Sequence, residues 1–135
     1  MAIELTRNFA TPMGQLVHVG GHEFPADASV AEGGSDAGPS PHDLYDAALG
    51  ACKAITVMWY ANKKGIPVAD LRVSVERDDS DERRGTYRLS TRLLVGGALT
   101  DAQLSELEAV AKKCPVHKLM STVVTEITTT MARLP

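Results

Sequence analysis

The chain has only two cysteines, Cys52 and Cys114, and they carry the most distinctive chemistry the sequence offers. Cys114 sits in KKCPVHK. Pro115 suits the first position of a new helix, which puts Cys114 at its N-cap. A thiol there feels the positive helix end, and Lys112, Lys113, His117 and Lys118 are close in sequence; all of these favour thiolate. An unperturbed thiol, with a pKa of about 8.5, is only about 3% ionised at pH 7, whereas a pKa of about 6 makes roughly 90% thiolate. Cys52 is set differently. Leu44, Ala48, Ala51, Cys52, Ile55, Met58 and Trp59 recur at spacings of three and four, an apolar stripe in which a cysteine also reads as a small buried hydrophobe. Cys114 likewise reads as a cap residue beside solvated lysines.

A pair of cysteines has several uses. A zinc site would need Cys52, Cys114, His117 and a fourth ligand, yet there is no CxxC pair and Cys52 is isolated on its stripe. A serine hydrolase would need a nucleophile-elbow motif, which the sequence lacks. A two-cysteine redox cycle fits better. One thiolate attacks the O–O bond of a peroxide and becomes a sulfenic acid, the second thiol condenses with it to a disulfide, and an external dithiol reduces that bond. The fold must then bring the two Cα atoms to about 4.4–6.8 Å across a long sequence gap. An apolar setting for Cys52 suits organic hydroperoxides over hydrogen peroxide.

The elements that must position these thiols are legible. Ser40 to Gly65 reads as one long helix. Ser40 is its N-cap, Pro41 fits the first turn, and Asp43 completes a near capping box; Lys63 and Lys64 favour the negative end, Gly65 offers a left-handed cap and Pro67 blocks continuation. Before it, Ile3–Thr6, Gln15–Val19 and His22–Phe24 read as short strands, the last two joined by a Gly20-Gly21 turn. Ala26–Pro39 reads as a surface crossing. After the helix, Leu71, Val73 and Val75 alternate with polar residues, as do Tyr87, Leu89, Thr91, Leu93 and Val95, giving two strands across the charged turn DDSDERRG. Thr100 and Gln103 form a capping box for a helix through Lys112, and a short helix follows Cys114. The alternation from Val123 to Met131 is the clearest strand signal in the chain. The order is α+β. The long helix is too apolar for a surface position and is expected to be buried on more than one side, by a second subunit among other things.

Composition sets the limits. The 135 residues fit a single domain, with 44% apolar and 23% charged residues, ordinary for a soluble protein. A net charge of −3 gives no general attraction to nucleic acid or to anionic membrane. No apolar run reaches the roughly 18 residues of a membrane span, and MAIELTRNFA lacks the apolar core of a secretory signal, so a cytoplasmic location is expected, where a cysteine pair is redox-active or metal-binding more often than a stable crosslink.

With GPSPHDLYDAALGACKAITVMWYANKKG followed by KKCPVHKLM, the chain resembles the OsmC/Ohr family, the osmotically inducible and organic hydroperoxide resistance proteins. The resemblance covers most of the chain, from about Gly33 to the last strand signal, as one OsmC-like domain. It implies an intertwined α+β homodimer, with antiparallel sheets around long central helices. It also implies thiol-dependent reduction of organic hydroperoxides, with Cys52 as peroxidatic and Cys114 as resolving cysteine. It implies no bound cofactor and, as partners, a second subunit, a small hydroperoxide and an external dithiol reductant, a dihydrolipoyl group or small thiol. Where family members carry a Glu ten residues before the first cysteine, this chain has His42, with Asp43 next to it. Where they carry a thiolate-polarising Arg in the N-terminal segment, the only Arg or Lys here before Lys53 is Arg7. Ten residues span about 15 Å of helix, so His42 or Asp43 could reach a Cys52 thiol only from a partner subunit; otherwise both serve as first-turn caps. Arg7 also reads as an exposed strand residue. The alternative within the same fold is a non-catalytic binding or redox-sensing protein, and a third reading leaves both thiols inert.

Overall fold

The structure, a computed structural model, describes residues 2–135. Its elements run β1 (Ile3–Arg7), β2 (Gln15–Val19), β3 (His22–Ala26), α1 (Pro41–Lys64), β4 (Asp70–Asp78), β5 (Arg88–Gly96), α2 (Asp101–Ala111) and α3 (Pro115–Ser121), with short 3-10 turns at Val30–Glu32 and Glu82–Arg84. The class is α+β, with two small antiparallel sheets, β1-β2-β3 and β4-β5. The chain divides into two compact units, Met1–Gly50 with Ser74–Arg92 and Ala51–Val73 with Leu93–Pro135.

In the first unit, β1 pairs with β2 from Ile3↔Val19 to Arg7↔Gln15, and β2 with β3 from Val19↔His22 to Gln15↔Ala26. β3 runs two residues past the expected Phe24, through Pro25, which the edge position of β3 allows because no ladder donor is missed on its open side. The glycine-rich crossing that follows is held from inside by Asp27. Its buried carboxylate accepts from the backbone N–H groups of Ala28 (2.8 Å), Ser35 (3.1 Å) and Ala37 (3.1 Å). The loop thus closes on a charge rather than on apolar packing. At the start of α1, Ser40 Oγ accepts from Asp43 N at 3.1 Å and Asp43 Oδ2 accepts from Ser40 N at 3.0 Å, a reciprocal cap.

In the second unit, Val57 and Ala61 of α1, Ile66, and Leu107 and Ala111 of α2 form one apolar core. Leu107 is 1% exposed, and burial on that scale contributes about 1.5–3 kcal/mol. Gly65 ends α1 with φ 69°, the left-handed cap. Gly97, at φ 137°, lies against the Pro67 carbonyl so closely that a Cβ would collide with it. The expected Thr100–Gln103 capping box is present with both bonds formed.

Two expectations are corrected. The stripe through Leu44, Ala48, Ala51, Ile55 and Trp59 is not the face that α1 buries in its own chain; Ile55 is 69% and Trp59 60% exposed. The inward positions are Asp46, Leu49, Lys53, Val57 and Ala61. α1 is apolar on two faces, and spacing alone does not say which one its own chain covers. Second, Val123–Met131 forms no strand, and Val124, Ile127 and Met131 stand exposed. A strand is held by a neighbour that takes up its backbone hydrogen bonds, and among the described residues none pairs with this stretch.

Candidate functional site

Cys52 and Cys114 meet within the second unit. α1 presents Cys52, half-buried, and the N-cap of α3 presents Cys114, which is fully buried. The two thiols are neighbours: their sulfurs take consecutive backbone amides of α3, and Cys52 is among the groups that act on the Cys114 thiol. Cys52 Sγ accepts the backbone N–H of Val116 at 3.5 Å, and the Thr56 hydroxyl, one turn along α1, lies 4.0 Å away. Cys114 Sγ accepts the N–H of His117 at 3.4 Å, the cap bond anticipated from Pro115. Successive backbone amides of α3 therefore serve the two sulfurs in turn.

Burial pushes the Cys114 thiol up; the His117 N–H pulls it down, hydrogen bonding to Cys52 pushes it up again, and the Lys53 ammonium pulls it down. The balance is upward, which corrects the expectation of a Cys114 thiolate. Removing a thiolate from water costs more than one amide and a nearby cation return. The lysines that suggested otherwise, Lys112, Lys113 and Lys118, are exposed to solvent.

Sequence reasoning gave Lys53 no role, and the structure gives it a central place. It is 3% exposed, and its Nζ donates to the Ala111 carbonyl at 2.8 Å and contacts His117 Nδ1 at 2.9 Å. The signal available was a lysine directly after Cys52 inside the apolar run LGACKAITVMW, because an ammonium on a buried face must find partners.

The other sequence-derived candidates lie in the first unit and are engaged there. His42 Nε2 bonds Glu82 Oε1 at 2.8 Å, and its ring meets Tyr87 edge-on at 5.9 Å. With Pro41 and Tyr45 these residues line an open cavity of about 380 Å³. Asp43 caps α1 and pairs with Arg77; the Ser40 N–H first, then Arg77, holds its carboxyl below the usual range. Arg77 also pairs with buried Asp46, which accepts the Tyr87 hydroxyl at 2.7 Å. Burial first, then that bond to Asp46, pushes the Tyr87 phenol up to about 12. Arg7 is exposed on β1 with its guanidinium 5.3 Å from the Phe9 ring centroid. Among the described residues, no group of three or more His, Cys, Asp or Glu side chains is arranged to hold a metal ion.

The family model described as OsmC-like protein matches residues 33–129. No curated protein matches the sequence. Among solved structures, the chain is similar to an OsmC-like protein from Mycoplasma pneumoniae, with 19% identity, 90% of this chain and 87% of that one covered, and a TM-score of 0.71. It is similar to the organic hydroperoxide resistance protein OsmC from Legionella pneumophila, with 17% identity, 90% of each chain covered and a TM-score of 0.65. The organic hydroperoxide resistance protein OhrB of Bacillus subtilis gives 21% identity, 90% and 92% coverage and a TM-score of 0.57. At these identities the likeness is one of fold.

Proposed function

The chain belongs to the OsmC-like protein family, and on that premise we propose that it is a thiol-dependent peroxidase for organic hydroperoxides. The observation that carries the reading is the adjacency of a half-buried thiol, Cys52, and a buried thiol, Cys114, which take consecutive backbone amides of α3. The names of two structural relatives, both organic hydroperoxide resistance proteins, agree with it.

In this cycle the Cys52 thiolate attacks the terminal oxygen of ROOH. The S–O bond forms as the O–O bond breaks, and the departing alkoxide takes a proton to leave as ROH. The Cys114 sulfur then attacks the Cys52 sulfenic sulfur. The S–S bond forms, the S–O bond breaks, and hydroxide leaves as water with the proton given up by Cys114. An external dithiol, a dihydrolipoyl group or small thiol, reduces the disulfide and is itself oxidised; the cycle draws on no bound cofactor. A reducing cytoplasmic setting would supply that dithiol, and among the described residues no helix is long and apolar enough to cross a membrane.

The working unit in this proposal is an intertwined homodimer. Its support is the apolar face of α1 that its own chain leaves open, at Ile55 and Trp59, and the alternating but unpaired stretch Val123–Met131, which would complete a sheet of the partner.

A second reading, a binding or redox-sensing protein without turnover, has one observation in its favour. His42, Asp43 and Arg7 are already engaged by Glu82, Arg77 and Phe9. Consumption of an alkyl hydroperoxide with dihydrolipoamide separates the two. Turnover by the natural chain that Cys52→Ser abolishes supports the peroxidase; undiminished turnover by that variant ends it.

A further inference from the structure

Among the described residues, Lys53 is the buried charged side chain that lies beside the thiols. On the stretches that flank the two thiols, residues 49–57 of α1 and residues 106–118, the charged or titratable side chains besides the cysteines are Lys53, Glu106, Glu108, Lys112, Lys113, His117 and Lys118. Glu106 is engaged by the Tyr60 hydroxyl, Glu108 pairs with Lys112 at 3.5 Å, and Lys113 and Lys118 are exposed. The Lys53 ammonium faces inward. It bonds the Ala111 carbonyl before Cys114 and His117 Nδ1 after it, so it spans the corner that carries Cys114. Its own backbone is the residue next to Cys52. One side chain therefore ties the segment bearing one thiol to both flanks of the segment bearing the other.

We propose that Lys53 is the positioning residue of the thiol pair, clamping the Ala111–His117 corner against Cys52 and supplying the buried positive charge that stabilises the thiolate formed there. The inference rests on the peroxidase reading for its purpose, since resolution of a sulfenic acid requires the Cys114 proton to leave a site from which water is excluded. The electrostatics agree in sign, because the Lys53 cation opposes the upward push of burial on Cys114. Two further consequences follow from the geometry. The clamp requires Nδ1 of His117 to accept from the ammonium, which places the ring proton on Nε2. The backbone N–H of the same residue is bonded to Cys114, so the clamp and the thiol cap share one residue.

The test is a pH titration of ultraviolet thiolate absorbance in the full-length reduced protein, compared among the natural chain, Lys53→Gln, Lys53→Met and Lys53→Arg. A neighbouring opposite charge moves a thiol by about 1–3 pH units. The neutral variants are therefore expected to titrate about one unit or more higher, Lys53→Gln included although it keeps a hydrogen-bond donor, and Lys53→Arg is expected to stay close to the natural chain. A Gln variant that titrates like the natural chain overturns the proposal. Titration reads the thiols without any peroxide, so it stands even if hydroperoxide turnover proves absent. Nitrogen NMR of the unmutated protein covers the case in which the variants do not fold: His117 is expected as the Nε2–H tautomer, and an Nδ1–H ring overturns the clamp.

Discussion

Val116 donates its backbone N–H to the Cys52 sulfur across 3.5 Å, a bond between residues 64 positions apart. The next amide, that of His117, serves Cys114. The first turn of a short helix thus solvates two sulfurs that come from different elements. It also explains Pro115. At the first helical position it has no N–H to offer, and it starts the turn so that the following two amides point at the thiols.

That arrangement predicts a division of labour. Cys114→Ser keeps the Val116 N–H on Cys52 and removes only the second sulfur. Under the proposed cycle, sulfenate still forms at Cys52 and is trapped by dimedone in stoichiometric amount. The internal disulfide is lost, and steady-state turnover with a dithiol falls at least about tenfold, a loss of roughly 1.4 kcal/mol in transition-state stabilisation. Mass spectrometry after one equivalent of hydroperoxide reads both. A Cys114→Ser protein that turns over at the natural rate would mean the resolving thiol comes from elsewhere.

The ion pairs around Asp46 make a stability prediction. Asp46 is buried and is satisfied by the Tyr87 hydroxyl and by Arg77, which also reaches Asp43. Tyr87→Phe removes one neutral donor from a carboxylate that keeps its cation, and is expected to cost about 1 kcal/mol in urea unfolding. Arg77→Met removes the cation and lowers the melting temperature by several degrees. Arg77→Lys restores only part of that, because an ammonium lacks the planar fork that serves two carboxylates at once.

Local signals carried most of the fold. The Ser40 and Thr100 caps, the Gly65 stop, the Gly20-Gly21 turn and the alternation in β4 and β5 each depend on residues within a few positions, and each is present as read. What was not legible depends on what lies opposite. The face of α1 that its own chain buries, the unpaired state of Val123–Met131 and the exclusion of water from Cys114 are properties of neighbours distant in sequence. For the site, the two cysteines could be picked out by type, and the fold brings them together. Lys53 was passed over because a lysine is read as solvated until its surroundings are known, and His42 and Asp43 are bound to Glu82 in the β4–β5 turn and to Arg77 of β4, partners that no spacing rule links to them.

Asp27 sets an acid limit. The N–H of Ala28 first, then those of Ala37 and Ser35, holds its carboxyl below the usual value near 3.8, against the opposing effect of burial. The folded state therefore binds this proton more weakly than the unfolded chain does. The stability it contributes is complete above the unfolded value and is lost as pH falls through the lower folded one. Asp27→Asn is expected to lower the melting temperature at neutral pH and to flatten the acid side of the stability profile, so that the two proteins converge in acid, below the lowered folded value. A gap between them that stays constant from neutral to acid would remove the charge from the account of this loop.

The last prediction concerns assembly. Trp59 is 60% and Ile55 69% exposed on α1, and the segment from Val123 to Met131 alternates as a half-buried strand does while pairing with no strand among the described residues. Covering the two side chains is expected to contribute about 1.5–3 kcal/mol each. An unpaired β-prone segment gains a ladder only by joining a sheet edge. Both requirements are met if a second copy supplies the sheet edge and the matching helix face. The natural chain should therefore elute with the mass of a dimer in light scattering. Trp59→Lys and a chain ending at Thr122 should each shift that equilibrium toward monomer, by about tenfold or more in dissociation constant. The two changes act on different contacts, so in combination their effects should add if helix face and strand bind separately, and fall short of the sum if they close together. A natural chain that is monomeric at micromolar concentration would instead leave both surfaces open in solution, and the peroxidase reading would then have to stand on the thiol pair of a single subunit.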